Sequence, residues 1–234
     1  MHVHLRPRLA QAADMLGASA VVADIGSDHG RLAVALLQRG VAQRVIASDV
    51  SGQSLKKAEA LALHCQVAQQ MDFRVGDGLS TVSPREADAI IMAGMGGLLM
   101  VRLLREGEKT ARAAERIVLQ PQGNAAELRR FLYENAYCIL EEAIVLDSGR
   151  YYQFICAKSG RPRPLPAGWP KDYLELGPVA YEKGDSLLLP LARKYKAGHE
   201  KRLARARQGG FEPTLLLQAL GALDTIIAML EDHV

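Results

Sequence analysis

Short apolar runs alternate with amphipathic stretches through the first 135 positions of this 234-residue chain. The runs Val21–Ile25, Arg44–Asp49, Asp72–Val75, Ala89–Ala93 and Ile117–Leu119 read as strands. Helical spacing of apolar positions predicts helices over Arg31–Gln38, Ser54–Gln70, Leu98–Glu106 and Ala125–Asn135, with Arg8–Leu16 leading into the first strand. Strands apolar on both faces, alternating with helices, imply a parallel, doubly wound α/β sheet. Two further runs, Tyr137–Leu146 and Arg150–Lys158, are joined only by Asp147-Ser148-Gly149. That hairpin adds an antiparallel strand, so the expected fold is a Rossmann-like mixed sheet of seven strands, the last one antiparallel.

The alternation ends at Ser159-Gly160-Arg161-Pro162-Arg163-Pro164-Leu165-Pro166, a break that predicts domains 1–160 and 161–234. Beyond it, Pro190 suits a helix start and Gly209-Gly210 its end. Pro213 opens a second helix whose apolar positions Leu216, Leu220, Leu223, Ile227 and Leu230 step by four and three, as in a coiled coil. The two helices are expected to pack as an antiparallel hairpin.

With 49% hydrophobic and 24% charged residues, the composition is that of a soluble globular protein. No apolar stretch is expected to approach the roughly 20 residues that span a bilayer, and the N-terminus lacks a signal-peptide core. Cys65, Cys138 and Cys156 form neither metal spacing nor a disulfide framework. A cytoplasmic location is expected, with no membrane, no metal and no obligate protein partner. Net charge is only +3, but its distribution changes the picture. Arg193, Lys194, Lys196, Lys201, Arg202, Arg205 and Arg207 face a single Glu200, a one-signed helix suited to a polyanion.

Candidate chemistry gathers at the strand ends, where doubly wound sheets bind ligands. Asp24-Ile25-Gly26-Ser27-Asp28-His29-Gly30 follows the first strand, Asp49 ends the second, and Asp77-Gly78 follows the third. Three such acids suit a nucleoside: Asp49 for ribose hydroxyls, Asp77 for the adenine amine. The loop is not G-x-G-x-x-G, and no P-loop occurs. Asp28 stands where a pyrophosphate would sit and would repel it. S-adenosylmethionine, which has an ammonium and a sulfonium but no phosphate, fits better than NAD. The fourth strand ends in Ala93-Gly94-Met95-Gly96-Gly97, which would border the reacting group with backbone, and Gln120-Pro121-Gln122 closes the fifth.

Asp24–Gly30, Ala93–Gly97, Leu119-Gln120-Pro121 and Arg150-Tyr151-Tyr152 occur in the order and spacing of the bacterial tRNA (adenine-N1)-methyltransferase family of the TrmK type. The chain resembles that family over essentially its whole length, including Leu176-Gly177-Pro178 and the basic helical tail. It departs at Arg31-Leu32-Ala33, where relatives commonly have Tyr-Leu-Pro, and at Gln122, where they usually carry Asn. The resemblance implies a class I methyltransferase domain with a C-terminal coiled coil, acting with S-adenosylmethionine on N1 of the adenine at tRNA position 22. Expected cofactor contacts are Asp24, Gly26, His29, Gly30, Asp49, Asp77, Gly78 and Gly94. Asp28, Met95 and Gln120 are the expected catalytic positions, and Arg8, Tyr151, Lys201, Arg202 and Arg205 the expected tRNA contacts. A small-molecule or protein methyltransferase, or a non-catalytic RNA-binding protein of the same fold, remains open at this point.

Overall fold

The apolar runs become the strands β1 (Ser19–Ile25), β2 (Ala42–Asp49), β3 (Met71–Val75), β4 (Ala89–Met95), β5 (Arg116–Pro121), β6 (Tyr137–Asp147) and β7 (Arg150–Ser159). In this computed structural model, which describes residues 2–208 and 213–232, they form one sheet ordered β3-β2-β1-β4-β5-β7-β6. The pairings among β1 to β5 are parallel, and β7 runs antiparallel to both β5 and β6. The strand order reverses between β1 and β4, so the crevice for a ligand lies beyond their C-terminal ends.

Helices α1 (Pro7–Leu16), α2 (Arg31–Gln38) and α3 (Gly52–His64) cover one face. Met15, Leu16, Leu32 and Leu36 pack there on Val22, Val45, Ile91, Val118 and Phe154. Helices α4 (Gly97–Glu106) and α6 (Ala125–Glu134) cover the other, with the short α5 (Glu108–Ala113) beside β7. The central Ile90, Ile91 and Met92 are fully buried, each contributing about 1.5–3 kcal/mol of apolar burial. Arg129 of α6 forms a buried ion pair with Glu142 of β6 at 2.6 Å and donates to Gln153 of β7 at 2.8 Å.

Two elements differ from expectation. The helix expected to reach Gln70 ends at His64, because Gln66 adopts a left-handed conformation (φ 61°) and Val67 N donates back to Ala62 O at 3.0 Å. A separate 3-10 turn, Ala68–Gln70, follows. Helix α5 was not anticipated, since its six residues are too few to display a period.

The chain divides into two compact units between Arg163 and Pro164. The second contains α7 (Pro178–Glu182), α8 (Leu188–Gln208) and α9 (Thr214–Glu231). Trp169 is buried beside Tyr181 and donates through Nε1 to Tyr173 O at 3.1 Å. Helix α8 starts two residues before Pro190, which still falls in the first turn, where its missing N–H costs nothing. Gly209 and Gly210, expected to end it, lie outside the described residues. Ion pairs Arg193–Glu231 (2.7 Å) and Lys196–Asp224 (2.5 Å) join the start of α8 to the end of α9, so the pair is antiparallel. Leu223, Ile226 and Leu230 are the buried positions of α9, whereas the expected Leu216, Leu220 and Ile227 are half-buried. The expectation that no apolar stretch approaches membrane-spanning length needs correcting here. By length and composition the 18 residues of α9 are sufficient, with 17% of them buried.

Candidate active site

At the end of β1 the chain turns sharply into α2, and the loop is fastened to the neighbouring strand. Gly26 N and Ser27 N both donate to Ser48 O of β2, at 2.8 and 3.0 Å. Asp28 takes a left-handed conformation (φ 51°) held by its N–H donating to Asp49 Oδ2 at 3.0 Å. Gly30 caps α2 with φ 71°, and a Cβ there would stand 2.6 Å from Ala58 Cβ of α3. This glycine therefore answers to helix packing as well as to backbone conformation.

Beside the loop lies a cavity of about 440 Å³, lined among others by Arg8, Asp24, Asp28, Arg31, Gly94 and Gln122. Its volume is in the range of small-molecule sites. Gly26, Ser27 and His29 also border it. Asp24 is 3% exposed, and burial pushes its carboxyl up to about 6, tempered by Ser27 and reinforced by the Asp49 carboxylate. Asp24 Oδ2 and Ser27 Oγ are buried without a formed hydrogen bond. Unsatisfied polar atoms of this kind are costly unless a ligand completes them. A cationic donor would satisfy Asp24, and no phosphate would be tolerated beside it.

Asp28 presents a more exposed carboxylate. Its Oδ2 lies 2.7 Å from His29 Nδ1, and its Oδ1 accepts from Ser54 Oγ at 3.4 Å. His29 Nε2 in turn lies 3.2 Å from Lys57 Nζ. Asp49 accepts from the N–H of Ser51 (2.8 Å) as well as Asp28, which orients it while leaving lone pairs on both oxygens. Asp77 is held by Arg102 of α4, at 2.9 Å to Oδ2 and 3.2 Å to Oδ1. Gly78 lies under Leu103, whose side chain a Cβ would strike.

The opposite wall comes from α1 and the ends of β4 and β5. Arg8 donates to Gln120 Oε1 at 3.1 Å and stacks over Tyr152, 5.3 Å from the ring centroid. Gln120 is fully buried and donates to Pro121 O at 3.0 Å, so its amide is engaged in the wall itself. Met95 does not border the cavity directly; its Cε reaches across to Gly26. Gly94 (φ 82°) leaves room where Gln122 Nε2 and Arg8 Nη1 approach to 3.5 and 3.6 Å of a Cβ position.

The expected residues Arg8, Asp24, Gly26, Asp28, His29 and Gly94 thus converge on one cavity, while Gly30, Asp49, Asp77, Gly78, Met95, Gln120 and Tyr151 do not line it. Strand alternation explains Tyr151: Tyr152 shares the α1 face with Phe154, whereas Tyr151 shares the α6 side with Gln153. Tyr152 was therefore missed as the aromatic partner of Arg8. Period-two reading back from the apolar Phe154 was the available signal. Arg102 was missed as well, because nothing in sequence links it to Asp77. Lys201, Arg202 and Arg205 lie in the second unit on α8; no ion pair of theirs occurs among the described residues.

Comparison with known proteins agrees with this geometry. The family profile described as "Methyltransferase domain" matches residues 5–155. A tRNA (adenine(22)-N(1))-methyltransferase of Bacillus subtilis is 33% identical over 156 residues, which cover 67% of this chain and 66%, just under two thirds, of that protein. The crystal structure of the B. subtilis M1A22 tRNA methyltransferase TrmK superposes with a TM-score of 0.81 at 26% identity, covering 99% of each chain. Streptococcus pneumoniae Sp1610 in complex with S-adenosyl-L-methionine shares the fold at TM-score 0.84 and 24% identity, covering 96% of this chain and all of that one. With a loop-and-cavity arrangement of this kind and a family match over most of its length, the chain belongs to the methyltransferase-domain family, and it is similar to TrmK over nearly its whole length.

Proposed function

We propose that this protein transfers a methyl group from S-adenosylmethionine to N1 of the adenine at position 22 of tRNA, working in the bacterial cytoplasm. The observation that carries this reading is Asp24 Oδ2, a buried carboxylate oxygen without a hydrogen bond, in a residue that lines a cavity at the switch point of a methyltransferase sheet. It suits the ammonium of the cofactor's amino-acid end, with Gly26, His29, Gly30 and Gly94 around it. Asp49 and Asp77 would take the ribose and adenine of the same molecule, and Gly78 would border the adenine. When bound, S-adenosylmethionine supplies a sulfonium methyl, and N1 of neutral adenine already carries the lone pair that accepts it.

No general base is therefore required, and the chain's contribution is placement and charge. N1 lies on the Watson–Crick edge, so the base leaves its helix to enter the cavity. The fixed loop and the Arg8–Gln120–Tyr152 wall set the approach at about the 3–3.5 Å of a near-attack arrangement. Asp28 offers its carboxylate to the positive charge that develops on the ring. Met95 supports the loop through Gly26, and Gln120 acts through Arg8. Tyr152 holds Arg8 in place from outside the cavity. Lys201, Arg202 and Arg205 supply phosphate contacts on α8.

Incubation with unmodified tRNA and methyl-labelled S-adenosylmethionine, followed by nucleoside mapping, tests the reading. Label is expected as 1-methyladenosine at position 22, and Asp28→Ala is expected to lose at least about 100-fold in turnover while binding S-adenosylhomocysteine within a few-fold of the parent. Label at another nucleoside, or none, would overturn the substrate. Normal turnover in Asp28→Ala would remove that carboxylate from the mechanism.

A further inference from the structure

Two glutamines flank Pro121 at the end of β5, and their surroundings differ. Gln120 is fully buried, with its oxygen accepting from Arg8 and its nitrogen donating to Pro121 O. Gln122 is exposed at the cavity, and no hydrogen bond of its carboxamide occurs among the described residues. Its backbone is nevertheless fixed, because Gln122 N donates to Met95 O at 2.9 Å and so fastens the end of β5 to the end of β4. The carboxamide nitrogen lies 3.5 Å from where a Cβ of Gly94 would stand.

The other polar side chains at the cavity are charged, titratable or committed elsewhere, except the Ser27 hydroxyl, a single buried oxygen that cannot present a donor and an acceptor side by side in one plane. Asp24 and Asp28 only accept when ionised. Arg31 donates to His4 O at 3.2 Å, and Arg8 is held by Gln120 and Tyr152. Gln122 alone offers a neutral donor and acceptor in one plane. An adenine methylated at N1 must keep N1 free, which leaves the N6 amine and N7 of its other edge for recognition. Those two groups are a donor and an acceptor side by side, the pattern a glutamine carboxamide matches bidentately. Guanine presents two acceptors there and cannot make the same pair.

We propose that Gln122 is the specificity-determining residue of the target-base site, reading N6 and N7 of the adenine while N1 faces the methyl donor. The proposal rests on the tRNA adenine-N1 reading of the site. It is tested with two tRNAs that differ only in carrying adenosine or 7-deazaadenosine at position 22, the latter lacking the N7 acceptor. The parent enzyme is expected to lose about tenfold in kcat/KM on the 7-deaza tRNA, as one arm of a bidentate pair is removed. Gln122→Ala is expected to be about tenfold slower on ordinary tRNA and to treat the two tRNAs alike, with S-adenosylhomocysteine binding unchanged as the check on folding. Gln122→Asn, which keeps both groups on a shorter arm, is expected to restore part of the discrimination. An equal 7-deaza penalty in the parent and in Gln122→Ala, or no penalty in the parent, would overturn the role of Gln122 and leave the activity standing. Failure of the parent to methylate position 22 of ordinary tRNA would overturn both.

Discussion

Arg129–Glu142 in the first unit and Arg193–Glu231 in the second have nearly the same length, 2.6 and 2.7 Å, yet they are physically different objects. The side chains of the first pair are each 1% exposed; those of the second are 60% and 49% exposed. In water an ion pair is worth about 0–1 kcal/mol, because solvation competes with it. In a dry interior each charge depends on its partner, and removing one strands the other. The difference extends to function. In the methyltransferase unit Asp24 is buried and the exposed Asp28 is held by hydrogen bonds, whereas the helical unit displays its Lys and Arg side chains to solvent, as the proposed contact with a polyanion would require.

Breaking one partner in each unit gives the largest expected contrast. Arg129→Ala should cost about 3–5 kcal/mol of folding stability, read by chemical denaturation. Arg193→Ala should cost less than about 1 kcal/mol. Replacing both buried partners together, as Arg129→Met with Glu142→Leu, should recover much of the loss, since the apolar pair carries no stranded charge. Equal losses for the two single variants would show that burial does not set the energetics here.

Asp24 sharpens the contrast, because it is a buried acid with no cation beside it and one oxygen, Oδ2, without a hydrogen bond. Its carboxyl is raised from 3.8 to about 6, chiefly by burial. The folded chain therefore holds that proton more tightly than the unfolded chain. The associated stability is present below pH 4 and is lost as pH rises toward 6, leaving a cost on the order of 2–3 kcal/mol at neutral pH. Asp24→Asn should remove that cost, raising the melting temperature of the ligand-free protein at pH 7.5 and changing it little at pH 4. Binding should move the opposite way. A cationic amine needs the ionised carboxylate, so affinity for S-adenosylhomocysteine should fall about tenfold between pH 7 and pH 5 and be weak and level in Asp24→Asn. Calorimetric titration across this range decides the matter; a parent affinity that holds at pH 5 would separate Asp24 from the ammonium.

The sheet was legible because the central strands β1, β4 and β5 are apolar on both faces and most crossover helices carry their own period. Strand ends were legible for the same reason, and with them Asp24, Asp28 and Gly94. Tertiary contacts were not: Arg102 meets Asp77 from 25 positions away, and Arg8 reaches Gln120 across 112. Choosing Tyr151 over Tyr152 is a one-residue phase error, and in a strand one residue is the whole thickness of the sheet. The α3 overrun shows the complementary limit. Apolar spacing continues past Cys65, but a left-handed Gln66 ends the helix without any glycine to announce it.

The smallest expected effect tests whether all cations of α8 are equivalent. Arg193 and Lys196 are already paired with Glu231 and Asp224, so a phosphate would have to displace a carboxylate to reach them. Lys201, Arg202 and Arg205 have no such pair among the described residues and lie on the exposed distal half of the helix. Each free cation that meets a phosphate releases counterions, which steepens the dependence of binding on salt by about one per contact in logarithmic terms. Neutralising Lys201, Arg202 and Arg205 together as glutamines should flatten the slope of log affinity for tRNA against log salt by about 2–3 and weaken binding severalfold at physiological salt. Neutralising Arg193 and Lys196 in the same way should change the slope by less than about one, because those contacts are satisfied within the protein. An unchanged slope in the triple variant would make the distal helix a bystander to RNA, and an equal change in the double variant would show that the surface ion pairs open freely. Either result bears on the opening contrast, since it reads whether an exposed pair worth so little to folding still holds its cations against a phosphate.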